Sequence, residues 1–291
     1  MKLLVTGRNG QVARCLDDCG RDAADVEIVL CGRPELDLLD HASLERAIEN
    51  VRPDIVVSAA AYTAVDQAED EPELAHAVNA EGPGALAHAA AARGIPIIHL
   101  STDYVFSGEG DEPHSEEETP DPRTVYGRTK LVGERLVAEA NPQHIILRTA
   151  WVYSPYGKNF VKTMLKLAEE QDEVRVVDDQ YGNPTSAYDI ANAILTIARK
   201  FDTERTLLWG TYHFAGNESM SWADFAERIF SDSAKSGGAR TRVIRVSSDE
   251  FPTKSVRPRN STLETEKIRV AFDYLNRRVV DDEYINCAIG R

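Results

Sequence analysis

Tyr126 and Lys130 stand four residues apart in Tyr126-Gly127-Arg128-Thr129-Lys130. On a helix, positions i and i+4 share a face, so a phenol and an ammonium would look into one pocket. A cation beside a phenol favours the phenolate. Lys130 is therefore expected to lower the Tyr126 pKa and make it a proton donor or acceptor near neutral pH. Standing alone, the pair would read as an exposed contact on a helix surface. A partner comes from Ser101-Thr102-Asp103, after the apolar run Ile95–Leu100. Hydroxyls at the carboxyl end of a parallel strand face the ligand crevice, where Thr102 or Ser101 can hold a carbonyl oxygen near the phenol. The plainer reading of these two is a strand-end cap. The third group is Thr6-Gly7-Arg8-Asn9-Gly10-Gln11-Val12-Ala13. Gly7 permits a tight turn, Gly10 lets backbone approach a diphosphate, and Ala13 allows close helix–sheet packing. Further on, Arg33 suits a 2′-phosphate, whereas the acids Glu35 and Asp37 suit a ribose hydroxyl, so NADPH and NADH both stay open.

These residues need a scaffold of strands and helices in alternation. Lys2–Val5, Glu27–Cys31, Asp54–Ser58, Ile95–Leu100 and Ile145–Thr149 read as continuous apolar strands, buried on both faces. Helical patterns lie between them at Gln11–Cys19, Ala42–Asn50, Glu73–Arg93 and Val125–Ala140, with a break or kink expected at Gly82-Pro83-Gly84. Strand–helix alternation implies right-handed crossovers and a doubly wound parallel sheet of the α/β class. Residues 1–150 read as a dinucleotide-binding domain, joined by a later helix at Ala187–Lys200. Residues 151–291 read mainly as a smaller α/β substrate lobe, interleaved with the first domain. It has helices at Asn159–Glu170 and Trp222–Ser231, strands at Val174–Val177 and Arg242–Val246, and loops at Asp178–Ser186 and Ser233–Ala239.

Composition bounds the function. The 291 residues carry 33 Lys+Arg against 48 Asp+Glu, a net charge of -15. A field of that sign repels nucleic acid and anionic lipid, so neither is expected as a partner. No apolar run nears the length of a membrane span, and Met1–Gly7 is too short for a signal peptide, so the chain is expected in the cytoplasm. The four cysteines, with no histidine at ligand spacing, read as reduced thiols, and no metal is expected.

Longer words in the chain carry a resemblance. They are Ala59-Ala-Ala-Tyr-Thr-Ala-Val-Asp66, Val78-Asn79, Ser101-Thr-Asp-Tyr-Val-Phe106, Arg148-Thr-Ala-Trp151, Asn159-Phe-Val-Lys-Thr-Met164, Asp179-Gln-Tyr-Gly-Asn-Pro-Thr185 and Arg257-Pro-Arg-Asn-Ser261. With the glycine turn and the Tyr126/Lys130 pair, they make the chain similar to the extended short-chain dehydrogenase/reductase superfamily, and within it to the dTDP-4-dehydrorhamnose reductase family. The likeness runs from residue 1 to about residue 265. It implies NAD(P)H-dependent reduction of the C4 keto group of a dTDP-4-keto-6-deoxy-L-hexose. By that likeness Tyr126 would donate the proton, Thr102 would bind the carbonyl oxygen, and Lys130 would hold the nicotinamide ribose. Gly7, Asn9, Gly10, Gln11 and Val12 would touch the diphosphate. Asp37 and Leu38 would lie near the adenosine, and Ala59, Ala60, Ala61 and Tyr62 on the nicotinamide side. Val65, Asp66, Tyr104, Trp151, Asn159 and Arg257 are the substrate-side candidates, Arg257 as a diphosphate clamp.

The resemblance allows a homodimer. The first helix has no acid before Asp17, which argues against a magnesium-bridged one, and the tail Leu275–Arg291 reads poorly as a closing helix. Two rivals share the fold: another nucleotide-sugar epimerase or dehydratase, and a non-catalytic subunit similar to the methionine adenosyltransferase beta subunit. Tyr104 stands where a dehydratase would carry the glutamate of its acid/base pair, which disfavours elimination.

Overall fold

The computed structural model of the chain describes residues 1–21, 23–205 and 208–273. The tail at 275–291 lies outside the described residues. The first half runs β1 (Lys2–Thr6), α1 (Gln11–Arg21), β2 (Glu27–Cys31), α2 (His41–Val51), β3 (Ile55–Ser58), α3 (Val65–Ala68), α4 (Pro72–His76), a π-helical segment Ala77–Glu81, α5 (Gly82–Ala91), β4 (Ile97–Thr102), a 3-10 turn Asp103–Val105, α6 (Val125–Ala140) and β5 (His144–Thr149). The second half runs β6 (Val152–Tyr153), α7 (Phe160–Glu170), β7 (Glu173–Val177), β8 (Tyr181–Gly182), β9 (Thr185–Ser186), α8 (Ala187–Glu204), β10 (Gly210–His213), β11 (Met220–Ser221), α9 (Trp222–Lys235), β12 (Arg242–Val246) and α10 (Glu266–Phe272).

Six parallel strands form the central sheet in the order β2-β1-β3-β4-β5-β10. Alternate residues of each strand feed opposite faces. Leu3, Val5, Val57 and Ile98 pack with α1, α8 and α10, while Leu4, Val56 and Ile97 pack with α2, α5 and Val137 of α6. This is the doubly wound Rossmann-type α/β fold, and the strand order reverses at the β1/β3 pair, where such sheets open a crevice for a dinucleotide. A separate core of Val161, Met164, Val174, Val176, Phe225 and Ile229 builds the smaller lobe around α7, α9 and the parallel pair β7/β12.

Four local expectations change. Of the break or kink expected at Gly82-Pro83-Gly84, the break does not occur; the helical path continues through the irregular π-helical segment. Pro83 has no N–H for the Asn79 carbonyl that an α-turn would pair with it, and a wider turn absorbs the misfit. That carbonyl faces α6, where a Cβ on Gly133 would come within 2.1 Å of it. The loop expected at 178–186 contains β8 and β9, and α9 runs to Lys235, into the loop expected from Ser233. The sixth sheet strand, β10, falls in a stretch that the hydropathy pattern does not mark as a strand.

Candidate active site

The carboxyl ends of β1, β3 and β4 meet the amino end of α6. Gly7 has φ +83, and a Cβ there would lie 3.1 Å from the Ala60 Cα. The Gly10 amide donates to the Gly7 carbonyl at 2.7 Å and closes the turn. No acidic side chain occupies the first turn of α1, so its amino end keeps its anion-attracting character. Thr6 Oγ1 accepts the amides of Ala59 and Ala60, both at 3.0 Å, which ties the glycine turn to the segment after β3. Asn79 grips the next residue: Oδ1 accepts the Tyr62 amide at 2.7 Å, and Nδ2 donates to the Tyr62 carbonyl and to Thr129 Oγ1 of α6. The Tyr62 hydroxyl donates to Glu71 at 2.6 Å, which pushes its pKa up to about 12.

The adenosine-side candidates follow β2, Arg33 on the surface, Asp37 half-buried and Leu38 buried. Arg8 pairs with Glu35 at 2.8 Å, Arg33 is exposed, Asp37 Oδ1 accepts the Leu39 amide at 3.0 Å, and Leu38 is buried against Gly82. Asn9 and Gly10 are exposed and Val12 is buried. The Gln11 side chain reaches the other lobe instead of the turn. Its Oε1 accepts from Ser154 Oγ and Asn159 Nδ2, both at 2.9 Å, and its Nε2 donates to the Val152 carbonyl at 3.4 Å. Only its backbone is left for a diphosphate. The glycine cradle, the open helix end and this surface fit a dinucleotide.

α6 begins at a Thr124 cap, whose hydroxyl accepts the Gly127 amide at 2.9 Å. Gly127 packs so closely on the 3-10 turn that a Cβ would sit 2.1 Å from the Tyr104 carbonyl oxygen. The contact sets Tyr126 beside Thr102. The Thr102 side chain lies beside the Tyr126 phenol, its own hydroxyl hydrogen donated to Asp103 Oδ1 at 2.7 Å. The half-buried Tyr126 ring meets the Tyr104 ring edge-on, with centroids 5.5 Å apart. Lys130, 2% exposed, donates to the Leu100 carbonyl at 2.6 Å.

One electrostatic expectation is overturned. Lys130 does not lower the Tyr126 pKa. Desolvation raises the phenol well above its ordinary value, and the nearby Asp103 and Tyr104 add to the rise while the neighbouring Thr102 side chain opposes it. The ammonium is spent on β4, and its own burial lowers it to about 8, against an opposing pull from Glu134. Spacing alone places two side chains on one face; it does not say that they touch. A phenol kept neutral still suits a reductase, because a proton donor must hold its proton until the carbonyl oxygen takes it.

Of the substrate-side candidates, three converge. Arg257 donates to Asp66 at 2.5 Å and to the Tyr104 hydroxyl at 3.3 Å, while Asp66 also accepts the Ser255 amide at 2.9 Å. Val65 opens α3 beside Asp66. Arg257 borders a groove of about 970 Å³ that Arg123, Asp179, Tyr181 and Arg259 also line. Trp151 packs between the smaller lobe's core and the cluster of Val105, Phe106 and Leu131. It takes a left-handed backbone (φ 45) and stacks on Trp222 with centroids 3.4 Å apart. Strain of this kind in a bulky residue persists only where surroundings enforce it, and is typical of ligand-facing positions. Asn159 caps α7, Oδ1 accepting the Lys162 amide at 3.1 Å, and its Nδ2 is engaged by Gln11 and by the Ser154 and Tyr156 carbonyls.

Residue-type reasoning passed over two buried carboxyls. Asp103 accepts the Thr102 hydroxyl at 2.7 Å, and burial raises it to about 6. Glu134 forms a two-pronged ion pair with Arg148 at 2.9 and 2.7 Å and accepts the Ser101 hydroxyl at 2.5 Å. The signal for Glu134 was present in the letters, since 126, 130 and 134 continue the same i, i+4 face. Among the described residues, no group of three or more His, Cys, Asp or Glu is placed to hold a metal ion, and no helix is long and apolar enough to cross a membrane.

Residues 1–279 match the family model described as RmlD substrate binding domain. A dTDP-4-dehydrorhamnose reductase of Sinorhizobium fredii is 50% identical over 273 residues, covering 94% of this chain and 92% of that protein. The chain belongs to the dTDP-4-dehydrorhamnose reductase family. Among solved structures, the family member from Clostridium acetobutylicum superposes with a TM-score of 0.90 at 36% identity, covering 100% of this chain and 99% of that one. The dTDP-4-dehydrorhamnose reductase of Bacillus anthracis, solved in complex with NADP, gives 0.88 at 34% identity over 99% and 98%.

Proposed function

We propose that this chain reduces the C4 keto group of dTDP-6-deoxy-L-lyxo-4-hexulose, with NADPH or NADH, to give dTDP-L-rhamnose. The observation that carries this reading is the placement of Tyr126, at the amino end of α6, beside Thr102 at the carboxyl end of β4, with the glycine turn of β1 opening the same edge of the sheet. The reduced nicotinamide supplies the hydride to C4. As the carbonyl π pair moves onto oxygen, the Thr102 hydroxyl turns from Asp103 to donate to that oxygen and Tyr126 gives it a proton, leaving a phenolate that solvent reprotonates. Lys130 holds the nicotinamide ribose. The chain's share is thus orientation, a stored proton and a dry site. Arg257, anchored by Asp66 and Tyr104, takes the substrate diphosphate, which a guanidinium can bind through two donors. Trp151 walls the sugar pocket. The cytoplasm is the proposed compartment.

The test incubates the chain with this hexulose and NADPH, follows loss of nicotinamide absorbance, and identifies the sugar nucleotide by NMR. Stoichiometric dTDP-L-rhamnose is expected. Nicotinamide retained through dialysis with no net oxidation would favour an epimerase, and NADPH binding without turnover a regulatory subunit.

A further inference from the structure

His99 is wholly buried in β4, three residues before Thr102. Its Nε2 lies 3.3 Å from Lys130 Nζ and its Nδ1 lies 3.1 Å from Ser58 Oγ. An ammonium has only hydrogens to offer, so the ring nitrogen facing it is the bare one. The tautomer follows: Nδ1 carries the hydrogen and donates it to Ser58 Oγ. Ser58 ends β3, directly before the Ala59–Ala61 segment. The imidazole therefore links the lysine to the strand that leads into the nicotinamide side of the crevice.

We propose that His99 is a positioning residue of this site: with the Leu100 carbonyl, its Nε2 takes two of the three Lys130 N–H donors and leaves the third for the nicotinamide ribose. The inference rests on the reading in which Lys130 holds that ribose. A lysine side chain has four rotatable bonds and would otherwise wander; two fixed acceptors on β4 remove that freedom. The other charged groups around the ammonium do not replace them. Glu134, one turn along α6, is committed to Arg148 of β5 and to Ser101. Asp103 holds the Thr102 hydroxyl, and the Tyr126 phenol is neutral. Burial and the facing ammonium keep the imidazole itself uncharged, so it stays an acceptor across the working range.

Removing the acceptor should be visible without turnover. NADPH affinity, read by nicotinamide fluorescence, should fall as pH rises through about 8, where Lys130 loses its proton. In His99→Phe, which keeps a ring but no nitrogen, that midpoint should move down by about one pH unit, the effect of one lost hydrogen bond to a charged group. Turnover of the hexulose at pH 7 and limiting NADPH should fall about twofold with it, as the protonated fraction of Lys130 drops from about 0.9 to about 0.5. His99→Gln can place an amide oxygen near the Nε2 position and should restore the wild-type midpoint. Ser58→Ala frees the ring without removing its acceptor and should move the midpoint the same way by less; it carries the test if circular dichroism shows that His99→Phe does not fold. An unmoved midpoint in His99→Phe, or in Ser58→Ala where that variant stands in, overturns the proposal, as does a shift in His99→Gln equal to that in His99→Phe. Lys130→Met separates the underlying reading. If it binds NADPH with the wild-type pH profile, Lys130 does not hold the ribose, and the reading fails whatever His99 does.

Discussion

Glu134 and Arg148 are 4% and 5% exposed, and their two-pronged contact crosses from α6 to β5 beneath the proposed reaction centre. Glu134→Gln removes the anion and leaves the guanidinium buried with no counter-charge on that side chain. Breaking a buried pair by one partner costs about 3–5 kcal/mol, far more than the pair contributes over an apolar replacement. For a chain near this size, each kcal/mol lowers Tm by roughly 2–4 °C, so the variant should melt roughly 6–20 °C below wild type. The double change Glu134→Leu with Arg148→Met leaves no charge behind. It should recover most of the loss, short of about 1 kcal/mol for the Ser101 hydroxyl that loses its acceptor. Urea denaturation followed by tryptophan fluorescence, run on the wild type and both variants, measures both terms. A single-variant cost under about 1 kcal/mol, the range of an exposed ion pair, would falsify the reasoning. So would a double variant less stable than the single one.

Gly127→Ala puts a methyl 2.1 Å from the Tyr104 carbonyl oxygen and must push the start of α6 off the 3-10 turn. A misplacement near an ångström costs about a hundredfold in kcat, while NADPH affinity by fluorescence should hold; unchanged kcat would show that α6 can give. His213 is buried beside Arg148 and lowered to about 3, so its neutral form belongs to the fold, and stability is lost as pH falls below about 6.5. Relative to His213→Phe, the wild type should lose roughly 2 kcal/mol between pH 7 and pH 5 in urea titrations. Taking the difference cancels Asp103, whose raised carboxyl gains stability over the same range; parallel pH curves for the two proteins would contradict the assignment. Gln11→Ala cuts the side-chain bonds to Val152, Ser154 and Asn159. The KM for the sugar nucleotide should rise about tenfold while NADPH affinity changes little, and the opposite pattern would place the side chain on the coenzyme.

Much of the fold was legible because apolar runs on both faces of a sheet have few other readings. β1 to β5 and their helices follow from Lys2–Val5, Ile145–Thr149 and the segments between. β10 was not legible: Gly210-Thr-Tyr-His213 has no apolar run, and it joins the sheet by pairing with β5. The π-helical segment escaped for a related reason. Pro83 and two glycines read as a break or kink, and only the tertiary seat against Gly133 shows that a widened turn is kept. Within the site, Thr102, Tyr126 and Lys130 were readable from type and spacing. Which partners they take was not. Lys130 turns to Leu100 and His99, and Gln11 turns to the other lobe, because both choices depend on chain segments distant in sequence. The pKa expectation for Tyr126 failed on the same ground, since desolvation is a property of packing.

The central claim is that the Tyr126 phenol supplies the proton for a hydride-driven ketone reduction. Tyr126→Phe tests it most directly, with NADPH affinity and turnover of dTDP-6-deoxy-L-lyxo-4-hexulose measured on the same protein. Loss of a positioned general acid should lower kcat by about 10²–10⁴-fold, with NADPH affinity within a few-fold of wild type. Turnover that survives the substitution, with the coenzyme still bound, would contradict the claim.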